Sequence, residues 1–123
     1  MNIHEILKDI EKLKYQVSIL GETISNETHP VEALIFSMNW GVGDIDRAHD
    51  IFEKYDKKLE EGKSINWNEF EIELKDEFSI GYQTVKNIVL AFYDNHQWTD
   101  VCHGYALSFE PTTPVEFHRI TRR

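Results

Sequence analysis

Apolar residues that return at steps of three and four along most of this chain leave little choice but helix. The clearest case is the first segment. Ile3, Ile6, Leu7, Ile10, Leu13, Val17 and Leu20 fall on one stripe of a helical surface, the pattern of an amphipathic helix. Asn2 suits its N-cap, and Gly21 stands where a C-terminal stop belongs. Glu5, Lys8, Asp9, Glu11, Lys12 and Lys14 line the polar face, with Glu5 and Lys8 an attractive pair. An extension through Ile24 is equally compatible, because one glycine near a helix end is tolerable.

Residues 25–30 read as a connector, after which Pro30 suits the first turn of a second helix, Val31 to about Asn39. Val31, Ala33, Leu34, Ile35, Phe36, Met38 and Trp40 make it apolar nearly all round, which implies a buried, central element. Gly41 and Gly43 break it. Asp44 then offers an N-cap for a third helix, Ile45 to about Glu61, closed by Gly62 and carrying Ile45, Ala48, Ile51, Phe52, Tyr55 and Leu59 inward. Asn66 with Glu69 three residues on resembles a capping box and opens a fourth helix. Phe70, Ile72 and Leu74 alternate, so a strand competes over residues 69–74; length and Glu/Lys content favour helix. A fifth helix is expected from Tyr82 to Asp94, and a short sixth from Thr99 or Asp100 to about Phe109. Pro111 and Pro114 end regular structure there, leaving residues 111–123 as a non-helical tail, an edge strand or disordered. The expected fold is all-α: one bundle-like domain of five to six helices over residues 1–110, followed by that tail.

A chain of 123 residues is one domain on size grounds. Its seven Phe, five Tyr and three Trp can fill a small core with few side chains. The single cysteine, Cys102, excludes an internal disulfide framework and suits a reducing, cytoplasmic setting. No apolar run approaches the roughly 20 residues of a membrane span, and the N-terminus lacks the features of a secretory signal. Charge is unevenly spread. Residues 44–78 hold twelve acids against six bases and supply -6 of the net -9, residues 1–43 supply -3, and residues 79–123 are neutral. That balance argues against nucleic acid as a partner, since a basic footprint is expected there.

The order of these features resembles the YhaI-like small helical proteins of Bacillus and relatives, a family of uncharacterised function. The matching stretches are Ile10 to Tyr15, His29-Pro30 leading into Ala33-Leu34-Ile35, and the acidic helix ending Lys58 to Gly62. They continue with Ala91 to Tyr93, followed by an Asn-containing turn and Trp98. The likeness spans residues 5 to about 106. It implies an all-helical fold with self-association as an option, and carries over no functional residue.

The richest polar cluster is Asp94, His96, Asp100, Cys102 and His103. Its side chains are of the right type for a transition metal, yet their spacing matches no closed structural site. Cys102 as a nucleophile would need a base within reach, His96 or His103; a free cysteine is more often a small buried hydrophobe. Asp44, Asp46 and Asp50 suggest a calcium loop, but the sixth and twelfth positions hold His49 and Tyr55 instead of the required Gly and Glu. Acids in a first helical turn complement the macrodipole. Gly41-Val42-Gly43 lacks the remaining parts of a phosphate loop. Neither a cofactor nor a metal is implied.

What remains is a surface. The expectation is a non-enzymatic interaction protein, an acidic immunity- or inhibitor-type molecule that neutralises a basic partner such as a nuclease toxin. Asp46, Asp50, Glu53, Glu69 and Glu73 would meet the partner's cations, steering association and fixing register. Tyr55 or Trp67, or else Trp40, would supply a desolvated anchor. Two alternatives stand beside it: a YhaI-like homo-oligomer that pairs apolar surface with itself, and a metal- or thiol-dependent enzyme around His96 to His103.

Overall fold

A computed structural model describes residues 2–122 and is helical, with no strand among them. Seven α-helices run in chain order: α1 Ile3–Glu22, α2 Pro30–Met38, α3 Val42–Glu60, α4 Trp67–Phe78, α5 Tyr82–Asp94, α6 Thr99–Leu107 and α7 His118–Thr121. A 3-10 turn, Val115–Phe117, leads directly into α7. Residues 69–74 lie inside α4, so the alternation of Phe70, Ile72 and Leu74 does not make a strand. Phe70 and Leu74, four apart, share the buried face, and Ile72 points outward.

The centre of the body is α5 and not, as the apolar composition of α2 suggests, the second helix. α5 packs against α2, α4 and α6, and it buries Val85, Ile88, Val89, Ala91 and Phe92. α2 buries only Pro30, Val31 and Leu34 and leaves Phe36 exposed. Rings dominate the interior. Phe52 stands edge-on to both Phe70 and Phe92, with centroids 5.2 and 4.8 Å apart. Tyr105 contacts Phe70, Phe109 and Phe117 at 5.2, 5.1 and 5.8 Å. Such tilted and edge-on geometry adds roughly 0.5–1.5 kcal/mol per pair beyond area burial.

Two turns are built alike. α2 ends at Asn39 and α4 at Ser79, both in the left-handed region, with φ of 55° and 52°. In each, the next amide reaches back five residues: Trp40 N–H donates to Ile35 O at 3.0 Å, and Ile80 N–H to Lys75 O at 3.1 Å. These are Schellman closures, which satisfy carbonyls that a helix end would otherwise leave orphaned. A glycine N-cap, Gly41 or Gly81, then opens the following helix. The Trp40 ring of one turn lies on Phe78 of the other at 4.7 Å. Arg47 pairs with both Asp44 and Glu77 beside them.

Local starts follow expectation at α1 and α4 and depart from it at α3. Asp44 is not the N-cap of α3. It sits one turn in, where its Oδ2 accepts from the Gly41 N–H at 2.8 Å, so Gly43 falls inside the helix. Asn66 caps α4 by accepting from Asn68 N–H at 3.0 Å. Asn2 caps α1 as expected, accepting from Glu5 N–H at 3.0 Å. Gly21 does not stop α1; it is the helix's only buried residue, and a Cβ there would lie 2.1 Å from the Phe36 ring.

The segment after Pro114, expected to be without helix, turns back and joins the core. Phe117 and Ile120 are wholly buried. Arg119 pairs with Asp94 at 2.6 Å, and Lys86 reaches Glu116 at 3.5 Å while lying over the Tyr82 ring. Arg123, the last of the arginines in that tail, lies outside the described residues.

Candidate interaction surface

The acidic middle of the chain faces outward, as its helical spacing implies. Asp46, Asp50 and Glu53 are exposed along one edge of α3, and Glu69 is exposed at the start of α4. Glu73 is half-buried and pairs with Lys54, which ties α4 to α3. Glu53 pairs with Lys57 one turn on, at 3.1 Å. Asp46 and Asp50 take part in no ion pair among the described residues. The neighbouring cleft between Asp50 and Lys63 is lined by Glu53, Glu61, Lys54, Lys57 and Lys58, so its charge is mixed. The face is therefore acidic in sum but laced with lysines, and only part of it is free to meet a cation.

The aromatic anchors fare differently. Tyr55 cannot be a docking anchor, because it is 1% exposed. Its ring packs edge-on against Phe70 at 5.1 Å, and the Lys58 ammonium lies 4.7 Å from the ring centroid. Burial, followed by the negative charges of Glu73 and Glu69, pushes its phenol up to about 12. Trp67 is half-buried at a corner of the core, 5.5 Å from Phe70. Its ring lies so close to α6 that a Cβ at Gly104 would come within 2.4 Å of it. Trp98 is likewise half-buried and donates through Nε1 to His49 Nδ1 at 3.0 Å. All three tryptophans thus have ring or hydrogen-bond partners within the chain.

The residues from His96 to His103 are divided between surface and core. Cys102 is wholly buried, and its Sγ donates to Val89 O at 3.4 Å. His96 is exposed in a left-handed turn, with φ of 59°. Among the described residues, no group of three or more His, Cys, Asp and Glu side chains is placed to hold a metal ion, and no helix is long and apolar enough to cross a membrane.

The largest departure lies at the other end of the molecule. α1 buries nothing but Gly21. Ile3, Ile6, Leu7, Ile10, Leu13, Val17 and Leu20, the stripe read from the sequence, are between 42% and 67% exposed, and Tyr15 and Ile19 add to them. At 1.5 Å per residue the helix is about 30 Å long, an arm whose apolar face is open to solvent. Periodicity predicts such a face; it does not say what the face meets. No protein family, curated protein or solved structure matches this chain.

Proposed function

We propose that this chain is a non-enzymatic protein–protein interaction module, an acidic helical body bearing an apolar arm. The observation that supports this reading is α1, whose long stripe of large apolar side chains has no partner within the body. Exposed apolar area on that scale, rimmed by charge, is the mark of a surface used for association.

In the form we propose, the protein is of immunity or inhibitor type and acts in the cytoplasm. Asp46, Asp50 and Glu53 on α3 and Glu69 on α4 meet the Lys and Arg groups of a basic partner such as a nuclease toxin. Glu73 holds its place through Lys54, and Trp67 stands at the edge of the patch in the role first given jointly to Tyr55. A second reading is a YhaI-like homo-oligomer with a regulatory or structural role, favoured by the same apolar arm. The enzyme reading around His96 to His103 draws no support from a cysteine sealed in the core.

The test is a binding titration against a cationic nuclease. Affinity should fall as salt rises from about 50 to 500 mM, because screening shortens from roughly 14 to 4 Å across that range. Asp46→Asn combined with Asp50→Asn should weaken binding further, each charge acting on the order of the 0.2–1 kcal/mol of an exposed pair. Binding indifferent to salt and to both substitutions overturns the acidic-face reading. Turnover of any substrate by the purified chain overturns the non-enzymatic one.

A further inference from the structure

The stripe on α1 has a period that names its occupant. Starting at Ile3, six of its apolar positions alternate by three and four in strict sevens, with Leu7, Tyr15 and Ile19 outside the alternation. Ile3, Ile10 and Val17 take the first position of each heptad, and Ile6, Leu13 and Leu20 take the fourth. That 3.5-residue repeat is the seam of a coiled coil, where side chains of one helix seat between those of another. A helix that packs on a globular body usually shows a broader apolar face. We propose that α1 pairs with α1 of a second copy of this chain, in a parallel, in-register, two-stranded coiled coil. The proposal rests on the interaction-module reading above and names that module's partner.

Three observations choose this occupant and this arrangement. The first is side-chain shape: all three first-position residues are β-branched, and two of the three fourth-position residues are leucine, the combination that favours two parallel strands. The second is charge. In a parallel pair, the residue before one first position faces the residue after the next fourth position of the partner. Here those residues are Asp9 and Lys14, so two symmetric Asp9–Lys14 pairs flank the seam. An antiparallel pair in the same core register sets Asp9 against Gln16 and Lys14 against Leu7, with no attraction gained.

The third observation is area. The seven stripe residues expose the equivalent of nearly four whole side chains. That is roughly 600 Å² on each chain, so pairing buries about 1,200 Å² in total, the lower bound of stable specific interfaces. The helix also needs the partner. Most helical stability in proteins comes from packing an amphipathic face and not from propensity, and the seam supplies for α1 what the body does not.

The experiment uses the full chain. Sedimentation or native mass should give a two-chain species that dissociates on dilution. Leu13→Glu, at the centre of the seam, should weaken association at least about a hundredfold, because the charge enters the interface twice. The fluorescence of Trp40, Trp67 and Trp98, all in the body, should not change in that variant. Asp9→Lys alone should weaken the dimer several-fold, and adding Lys14→Glu should restore it. Ile3→Cys should oxidise to a linked dimer, as parallel strands bring the first heptad positions together; Cys102 is buried and does not compete.

A chain that is monomeric at every concentration overturns the proposal. So does a dimer that Leu13→Glu leaves intact, or one in which Ile3→Cys fails to cross-link, and a three-chain mass overturns the two-stranded count. Hydrogen exchange on the monomer separates the two failures. Fast exchange along α1 leaves the module reading standing with another partner, whereas strong protection means that α1 packs on its own body, and then both readings fall.

Discussion

Replacing Tyr105 by Phe tests the core and its electrostatics together, because the two consequences have opposite signs at opposite ends of the pH scale. The Tyr105 hydroxyl donates to Glu71 Oε2 at 2.8 Å from a ring that is 1% exposed. A hydrogen bond to a charged acceptor is worth roughly 1.5–3 kcal/mol. Glu71 is only half-buried and regains water when the donor is removed, so the cost at pH 7 should fall near about 1.5 kcal/mol. The ring survives, and no cavity term is added.

At high pH the sign reverses. Burial, then the hydrogen bond to Glu71 and that carboxylate's charge, holds the Tyr105 phenol far above its ordinary value. The unfolded phenol ionises near pH 10 while the folded one keeps its proton. The folded state therefore binds more protons, and stability is lost as pH rises, at about 1.4 kcal/mol per unit for this one group. The variant lacks that loss. The stability curves of the two proteins should meet about one unit above the unfolded value, near pH 11, and the variant should be the more stable beyond it. Urea denaturation followed by tryptophan fluorescence at pH 7 and across pH 9–12 reads both effects. Tyr55, raised to about 12, contributes equally to both proteins and cancels. Equal stability at pH 7 together with parallel alkaline curves would refute the reasoning.

Other substitutions probe the joints. Gly21→Ala ought to gain up to about 1 kcal/mol by helix propensity alone. Here the new Cβ meets Phe36 at 2.1 Å, so the variant should instead loosen the α1–α2 junction, seen as faster hydrogen exchange over residues 20–36, and Phe36→Ala should relieve it. Exchange unchanged in the single variant counts against the contact. Ile120→Ala should cost about 2–4 kcal/mol in urea denaturation, because its side chain is wholly buried. A loss under about 0.5 kcal/mol, typical of surface positions, would mean that the C-terminal segment is not part of the core.

How much of this was legible beforehand depends on where each residue's partner lies. Asn2, Pro30 and Asn66 act within four residues of themselves, so local chemistry placed three helix starts correctly. Asp44 misled by one turn because an acid serves equally as N-cap or, three residues later, as acceptor for the cap's own N–H. Gly21 looked like a stop, yet it is a point where a ring from another helix, Phe36, comes too close for a side chain, as Trp67 does at Gly104. No reading of neighbours along the chain finds such a ring. Tyr55 carried two assignments, inward stripe and docking anchor, and packing against Phe70 decides for the first. α6 ends at Leu107, ahead of Pro111 and Pro114, but Phe117 and Ile120, three apart, are enough to fold a last turn onto the core.

The same logic explains why α1 was legible as a helix and illegible as an arm. An apolar stripe reports that something covers it, and period alone separates a body from a second strand. Salt then separates the two proposed uses of this molecule. Each chain carries a net charge of -9, and parallel pairing of α1 brings two such bodies to the same end of the seam. Their mutual repulsion opposes association and is screened within about 8 Å at physiological ionic strength. The Asp9–Lys14 pairs are exposed and worth at most about 1 kcal/mol each, so screening them costs less than screening the repulsion gains. Self-association should therefore strengthen with added salt, whereas binding of a basic partner to α3 and α4 should weaken. Sedimentation in low and high salt reads the first trend, and the nuclease titration reads the second. A dimer that falls apart as salt rises would show that charge, and not the apolar seam of Ile3 to Leu20, holds the two chains together.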